Sequence, residues 1–270
     1  MTPGKAVFEL LKLGIAVVIG LMLVLYFFQD RLIFYRQPSG PPVAHPPGVV
    51  VEEVALSAAD GTRLSGWLAR NKAGRAPLVI YFGGNAEEVS SNIGLAERFG
   101  EWSLLALNYR GYGASEGTPG EAALFSDALD IFDFAARRPD VDPRRIIAMG
   151  RSLGSGVAVY LASRREVSAV ILVSPYDSVL SIARSVYPFL PVRWMLKHPF
   201  DSLSRAPKIT APVLCLVAGD DRVIPRSHSQ RLFQAWSGPK QWIDVPGADH
   251  DSVAGEPRYW EGIARFLRGS

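Results

Sequence analysis

The chain has 270 residues, 48% of them hydrophobic, which allows one large α/β domain with a sizeable core or two smaller domains. Its net charge is only +3 and its arginine pairs are separated, so we expect no nucleic-acid-binding surface. The single cysteine, Cys215, excludes an internal disulfide and a cysteine-cluster metal site, and its apolar neighbours predict that it is buried.

The amino-terminal residues differ in composition from the rest of the chain. Residues 13–28 carry no charge, and the apolar stretch extends back to Val7 with only Glu9 and Lys12 interrupting it. As a helix, the two stretches would be about 24 Å and about 33 Å long, against roughly 30 Å for the hydrocarbon core of a bilayer. The bulky and charged residues that follow do not resemble a signal-peptide cleavage site. An uncleaved membrane anchor over residues 1–30 is therefore predicted, rather than a signal peptide or a buried helix.

The anchor is followed by a proline-rich stretch. Residues 31–48 are predicted to be an extended spacer rather than a packed element, since residues 37–48 contain five prolines. Basic residues flank both ends of the apolar stretch, so the positive-inside rule assigns no side of the membrane.

From residue 49 onward, patterns typical of strands and helices alternate. After an antiparallel hairpin around Asp60-Gly61, this alternation predicts a parallel sheet with helices on both faces, a domain covering residues 49–270. The irregular residues 175–211 are expected to form a cap. Strands are predicted at Val49–Leu56, Leu64–Ala69, Leu78–Phe82, Trp102–Asn108, Ile146–Met149, Ala169–Val173, Pro212–Val217 and Gln241–Val245, and helices at Asn92–Phe99, Ala122–Ala136, Val157–Ser163 and Tyr259–Leu267.

A G-x-S-x-G motif lies between a predicted strand and a predicted helix. Residues 150–154 read GRSLG, and this strand–turn–helix context is that of a nucleophile elbow, with Ser152 as the candidate nucleophile. The glycines remove the Cβ atoms that would clash at so sharp a turn. The alternative is a glycine-rich helix cap in which Ser152 or Ser155 only binds backbone amides.

A serine nucleophile needs a base and an acid that orients the base. Among the four histidines, His250 is the candidate base, because it lies in the loop after a predicted strand, at the edge of the sheet where Ser152 is placed. The candidate acid is Asp221, with its neighbour Asp220 as the alternative and Asp177 as a weaker third choice. The order serine, acid, histidine along the chain is the one that the elbow fold uses.

The tetrahedral intermediate of acyl transfer carries a negative oxygen that needs amide donors. The backbone N–H of Leu153 follows the nucleophile and is the first candidate. The second is the N–H of Asn85, in the glycine-containing loop after the strand Leu78–Phe82; the alternative for Asn85 is a helix cap. No motif indicates a metal or an organic cofactor.

Together these segments resemble the α/β-hydrolase superfamily. Within it, the chain is similar to the membrane-anchored group that includes the fungal bud-emergence-type hydrolases and the animal abhydrolase-domain depalmitoylases. The matching segments are residues 60–67 (DGTRLSGW), 81–86 (YFGGNA), 108–117 (NYRGYGASEG), 150–154 (GRSLG), 221–225 (DRVIP) and 247–250 (GADH). The resemblance implies an eight-stranded, mostly parallel sheet and serine hydrolase chemistry, and its Asp-x-x-Ile-Pro register favours Asp221 over Asp220.

The expected activity is hydrolysis of a carboxylic ester or thioester, on a small-molecule or lipid-like acyl substrate. An apolar cap beside a membrane anchor favours such substrates. One departure from the family matters: its usual His-Gly-Asn is replaced by Gly83-Gly84-Asn85, which removes an imidazole that commonly braces the loop. The alternatives are therefore a membrane-tethered interaction protein with weakened catalysis, or a peptidase or amidase of the same fold.

Overall fold

Eight strands form one sheet in the computed structural model, which describes residues 3–40, 43 and 45–270. The strands are β1 Val50–Ser57, β2 Arg63–Arg70, β3 Ala76–Phe82, β4 Ser103–Leu107, β5 Val141–Arg151, β6 Ala169–Val173, β7 Val213–Ala218 and β8 Lys240–Val245. Their order across the sheet is β1-β2-β4-β3-β5-β6-β7-β8. The pairs β1–β2 and β2–β4 are antiparallel and all later pairs are parallel. The predicted hairpin followed by a parallel sheet is thus confirmed.

Helices cover both faces of this sheet, as the alternating pattern predicted. The helices are α1 Pro3–Ile33, α2 Ser90–Ile93, α3 Glu121–Ala136, α4 Leu153–Ala162, α5 Val179–Val186, α6 Val192–Met195, α7 Arg226–Ala235 and α8 Pro257–Arg268. One layer of the core contains side chains of α3, α4 and α7, and the other contains those of α2 and α8. Because both faces are covered, β3, β6 and β7 are buried along their whole length.

Several elements differ in extent from the sequence predictions. Strand β5 begins five residues before the predicted strand, because a proline and two arginines interrupt the apolar pattern at its start. Helix α4 begins at Leu153, four residues early, because glycines hide its helical periodicity. The predicted helix Asn92–Phe99 is divided into α2 and a 3-10 turn at Ala96–Phe99. Residues 175–211, which showed no pattern, contain the short helices α5 and α6.

The amino-terminal helix continues beyond the predicted anchor. Helix α1 reaches Ile33, and Phe34, which follows it, is buried in the core of the domain. An 18-residue window of α1 has a mean hydropathy of 2.5 and contains no buried residue, so the helix is long and apolar enough to cross a membrane.

The spacer that follows α1 lies against the domain. The described residues form no helix or strand between α1 and β1, as the prolines predicted, and residues 41, 42 and 44 lie outside the described part. The spacer is nevertheless not free: the carbonyl of Gln37 accepts a hydrogen bond from the N–H of Gly113 at 2.9 Å, and Val43 packs against the core. These two contacts hold Gln37 and Val43 against the domain, although no helix or strand forms there.

Gly154→Ala is expected to destabilise the fold, because its Cβ would clash with the carbonyl oxygen of Phe82 on β3 and lie 2.6 Å from that of Gly83. Overpacking of this kind costs roughly 1–3 kcal/mol in the free energy of unfolding, measurable by urea denaturation. The control is Gly255→Ala, where the new Cβ meets nothing within 4 Å. Equal stability of the two variants would contradict the close approach of α4 to β3.

Candidate active site

The serine of the G-x-S-x-G motif occupies the turn between β5 and α4. Ser152 has φ 50° and ψ −118°, a backbone conformation that residues with a side chain rarely adopt. Its N–H donates to the carbonyl of Val173 at 2.9 Å, and its carbonyl accepts the hydroxyl of Ser155 at 2.7 Å, so neighbouring elements hold the turn. The Ser152 hydroxyl makes no capping bond to α4, which argues against the helix-cap alternative.

Three side chains predicted from the sequence meet at the carboxyl edge of the sheet. The Nε2 atom of His250 lies 2.8 Å from Oγ of Ser152, and its Nδ1 atom lies 2.8 Å from Oδ2 of Asp221. The three residues follow β5, β8 and β7, whose carboxyl ends meet at one edge because these strands are parallel. The structure therefore joins hydroxyl, imidazole and carboxylate in one hydrogen-bonded line.

The carboxylate of Asp221 is fixed at both oxygens. Its Oδ1 atom accepts the N–H groups of Val223 at 2.9 Å and Ile224 at 2.7 Å, and the side chain is only 1% exposed. Burial alone would raise the pKa of Asp221, but the hydrogen bonds from His250 and from the N–H of Ile224 outweigh it and lower the pKa below its usual value. The carboxylate is thus held charged beside the imidazole.

The two alternative acids have other surroundings. Asp220 is exposed, and its backbone N–H, rather than its carboxylate, makes the contact with the His250 loop, at the carbonyl of Ala248. Asp177 is buried and binds Nδ1 of His228 at 2.7 Å and Nε of Arg231 at 2.6 Å, both on α7. Asp177 therefore ties the beginning of the cap segment to α7.

Two backbone amides belong to segments next to the candidate nucleophile. The N–H groups of Leu153 and Asn85 donate no hydrogen bond within the described part of the chain. Leu153 is the first residue of α4, so its N–H has no partner inside the helix and lies at the positive end of the helix dipole. The loop that carries Asn85 is adjacent, since a Cβ built on Gly84 would lie 3.8 Å from Cβ of Ser152. The N–H of Leu153 and the loop of Asn85 are therefore both close to Ser152.

Glu87 holds this loop, a role that our sequence analysis missed. Its Oε2 atom accepts the N–H of Gly84 at 2.8 Å, and its Oε1 atom accepts the hydroxyl of Tyr81 at 2.7 Å and the amide of Asn92 at 2.6 Å. A Cβ on Gly83 would come within 3.3 Å of the Glu87 carboxyl carbon, so Glu87 lies beside the position where the family has histidine. The carboxylate braces the loop in place of the missing imidazole.

The residue before the candidate nucleophile connects this loop to the His250 loop. The guanidinium of Arg151 lies 3.2 Å from Oε2 of Glu87, and it donates to the carbonyl of His250 and to Asp251, both at 2.9 Å. Although burial opposes its charge, Glu87 and Asp251 raise the pKa of Arg151 above its ordinary value. The only sequence signal for this bridge is an arginine inside the G-x-S-x-G motif.

The loop between β4 and α3 supports the same region. The hydroxyl of Tyr109 donates to the carbonyl of Gly83 at 2.9 Å, and that of Tyr112 donates to the carbonyl of Asn85 at 2.6 Å. The guanidinium of Arg110 fixes the loop itself by binding both oxygens of the Asp127 carboxylate, at 2.7 Å and 2.6 Å. The carbonyls of Gly83 and Asn85 thus both accept hydrogen bonds, whereas the N–H of Asn85 remains available to a ligand.

No group of three or more His, Cys, Asp or Glu side chains in residues 3–40, 43 and 45–270 is arranged to hold a metal ion. The protein groups gathered at the candidate site are one hydroxyl, one imidazole, one carboxylate and two amides. Such a set can activate the serine as a nucleophile and stabilise a developing oxyanion.

Comparisons with known proteins agree with this architecture. A family model described as alpha/beta hydrolase fold matches residues 77–203. An uncharacterized protein of Mycobacterium tuberculosis is 36% identical over 259 residues, covering 92% of this chain and 90% of that protein. The alpha/beta hydrolase domain-containing protein WAV2 of Arabidopsis thaliana is 27% identical over 280 residues, covering 93% and 91%.

Solved structures share the fold at lower identity. An acetyl xylan esterase from a Paenibacillus species superposes with a TM-score of 0.68 at 21% identity, covering 91% of this chain and 93% of that one. Est1E from Butyrivibrio proteoclasticus, bound to ferulic acid, superposes with a TM-score of 0.67 at 19% identity, covering 80% and 98%. The sheet order, the family match and the relatives agree, and the chain belongs to the α/β-hydrolase superfamily.

Proposed function

We propose that this hydrolase-fold protein is a serine hydrolase that cleaves carboxylic esters or thioesters through an acyl-enzyme. One observation carries the proposal: Oγ of Ser152, the imidazole of His250 and the carboxylate of Asp221 are joined by hydrogen bonds of 2.8 Å each. A serine hydroxyl is a weak nucleophile unless a base can accept its proton, and this line of groups supplies that base already oriented.

In the first half of the reaction, Oγ of Ser152 attacks the carbonyl carbon while its proton passes to Nε2 of His250. The carboxylate of Asp221 stabilises the imidazolium. When the tetrahedral intermediate collapses, the bond to the leaving oxygen or sulfur breaks, and His250 gives that atom the proton. An acyl ester on Ser152 remains.

In the second half, water attacks the acyl-enzyme and gives a proton to His250. Collapse of the second intermediate releases the carboxylic acid and returns the proton to Oγ of Ser152. In both halves, the N–H groups of Leu153 and Asn85 would bind the carbonyl oxygen as it becomes negative. Because these donors are held before the substrate arrives, they need little reorganisation in the transition state.

Esters rank above amides on two grounds. The structural neighbours include proteins named acetyl xylan esterase and Est1E, which favours ester chemistry by likeness of fold. The apolar cap beside α1 favours acyl or lipid-like substrates over peptides, and no sequence feature marks a pocket for a peptide side chain. A peptidase or amidase remains the second reading of the same site.

The proposed organisation has a membrane anchor at residues 1–30, a spacer at 31–48 and a hydrolase domain at 49–270 with its cap at 175–211. The length and hydropathy of α1 support the anchor. The alternative of a tethered interaction protein with weakened catalysis was based on the missing imidazole at Gly83. The contacts of Glu87 with Gly84 and Tyr81 reduce the weight of that argument, because the loop is braced without it.

Replacing the nucleophile tests the reaction class. Ser152→Ala is expected to abolish labelling by a fluorophosphonate probe and to lower kcat on p-nitrophenyl esters by about 10⁶-fold. The matched control is Ser163→Ala at the other end of α4, where the hydroxyl only caps the helix at the carbonyl of Tyr160. An unlabelled wild-type protein, or equal labelling of both variants, would refute the enzyme reading and favour the interaction protein.

Comparing variants of the adjacent residues Asp221 and Asp220 tests which aspartate is the acid that orients His250. Asp221→Asn is expected to lower kcat by about 10³- to 10⁴-fold, because an amide cannot stabilise the imidazolium. Asp220→Asn changes an exposed carboxylate one residue away and should keep kcat within about twofold, since it lies outside the hydrogen-bonded line. If Asp220→Asn is the damaging change, the assignment of the acid is wrong.

Glu87 is expected to act as a positioning residue. Glu87→Ala should lower kcat by about tenfold to a hundredfold with little change in KM, because the loop that carries Asn85 loses its brace. Glu87→Gln retains an acceptor for the N–H of Gly84 and should restore most of the loss. If Glu87→Ala lowers only the melting temperature and leaves kcat unchanged, the carboxylate is a structural group alone.

A further inference from the structure

The carboxyl-terminal end of α1 is joined to the cap by side-chain contacts. Gln29 donates to the carbonyl of Met195 at 3.0 Å and accepts the N–H of Lys197 at 2.7 Å. Asp30 lies 3.1 Å from Nε2 of His198. Gln29 is thus bound to the backbone on both sides of Leu196. The segment that follows α6 therefore lies beside Gln29 of α1.

Gln29 marks the carboxyl-terminal end of the apolar part of α1. The apolar stretch ends at Phe28, one residue before Gln29, and the first charged residue after it is Asp30. A groove of about 340 Å³ lies between α1 and the cap, and its lining reaches down to Leu25, one helical turn or about 6 Å deeper. The cap residues Ile182, Val186 and Met195 line the same groove. If α1 crosses a bilayer, these cap residues lie at the depth where head groups meet acyl chains.

The outer face of the cap is apolar and unpartnered in the described chain. Phe189 is 96% exposed, Trp194 is 84% exposed and Val186 is 60% exposed. Large side chains are seldom this exposed in a soluble domain without a binding role, and tryptophan is enriched where proteins meet the membrane interface. The three residues belong to α5, to α6 and to the turn between them.

The part of the cap that contains α5 and α6 has basic but no acidic side chains. Residues 178–200 contain no acidic residue, while Arg184 and Arg193 lie exposed beside the apolar side chains. Basic residues on an apolar interfacial surface are attracted to anionic lipid head groups. Apolar tips, flanking arginines and a neighbouring transmembrane helix form a continuous surface.

We propose that this cap face is a membrane-contact surface, which lies on an anionic bilayer interface next to the point where α1 emerges. The cap follows β6 at the carboxyl edge of the sheet, and the hydroxyl of Tyr176, just before it, donates to the carbonyl of Leu153 beside the nucleophile at 3.1 Å. The cap is therefore attached to the domain at the edge of the sheet that carries the candidate site. The inference rests on the proposed anchor but is independent of the serine chemistry.

A site-directed fluorescence experiment tests the surface in the full-length protein. Phe189→Cys places an exposed thiol on the cap, and the native Cys215 does not compete, because it is buried and burial raises its pKa to about 12. The thiol is labelled with nitrobenzoxadiazole, and the protein is reconstituted into vesicles of phosphatidylcholine and phosphatidylglycerol. The matched control is Ala73→Cys, in the exposed turn between β2 and β3 at the opposite edge of the sheet.

At position 189 we expect blue-shifted emission, quenching by nitroxide-labelled lipid and at least roughly threefold weaker quenching by iodide than at position 73. Equal iodide quenching at both positions in vesicle-bound protein overturns the cap surface and leaves the anchor standing. Shielding from iodide without lipid quenching overturns it in favour of a protein partner. Protein that does not float with the vesicles overturns the anchor and the cap surface together, whereas failure of fluorophosphonate labelling concerns only the proposed chemistry.

Discussion

The close approach of three backbone segments at Ser152 is the constraint on which the site depends. Helix α4 begins so near β3 that a Cβ on Gly154 would clash with the carbonyl of Phe82, and β5 ends so near α4 that a Cβ on Gly150 would clash with the carbonyl of Gly154. A turn this tight forces Ser152 to a positive φ, which the sheet maintains through the bond to Val173. The strain lifts the hydroxyl out of the turn, where an imidazole from a distant loop reaches it.

The polar groups around this turn form one connected frame. Arg151 is adjacent to Ser152 and binds both Glu87, which holds the loop of Asn85, and the carbonyl of His250. Its guanidinium therefore links the segments that carry Ser152, His250 and Asn85. Because Arg151 is mostly buried, loss of Glu87 would leave its charge paired only with the exposed Asp251, so these contacts support one another.

The sequence was sufficient for the sheet and for the three side chains of the relay, because parallel strands bring their carboxyl ends to one edge. It did not distinguish Asp221 from Asp220 by spacing alone; the difference lies in the turn, where the N–H groups of Val223 and Ile224 fix one carboxylate. Glu87 was missed because its partners come from three segments and leave no periodic signal. Contacts of this kind depend on how loops meet in space.

The contacts between α1 and the cap could not be predicted from the sequence, for a related reason. Gln29 and Asp30 read as the polar end of a membrane helix, whereas the structure uses both to bind the cap. Phe34 then enters the domain core, so α1 cannot move as a free tether. If α1 is the membrane anchor that we propose, a helix fixed in this way would also orient the domain. The edge of the sheet that carries Ser152 is also the edge that carries the cap, so the proposed anchor would set the orientation of the candidate site as well.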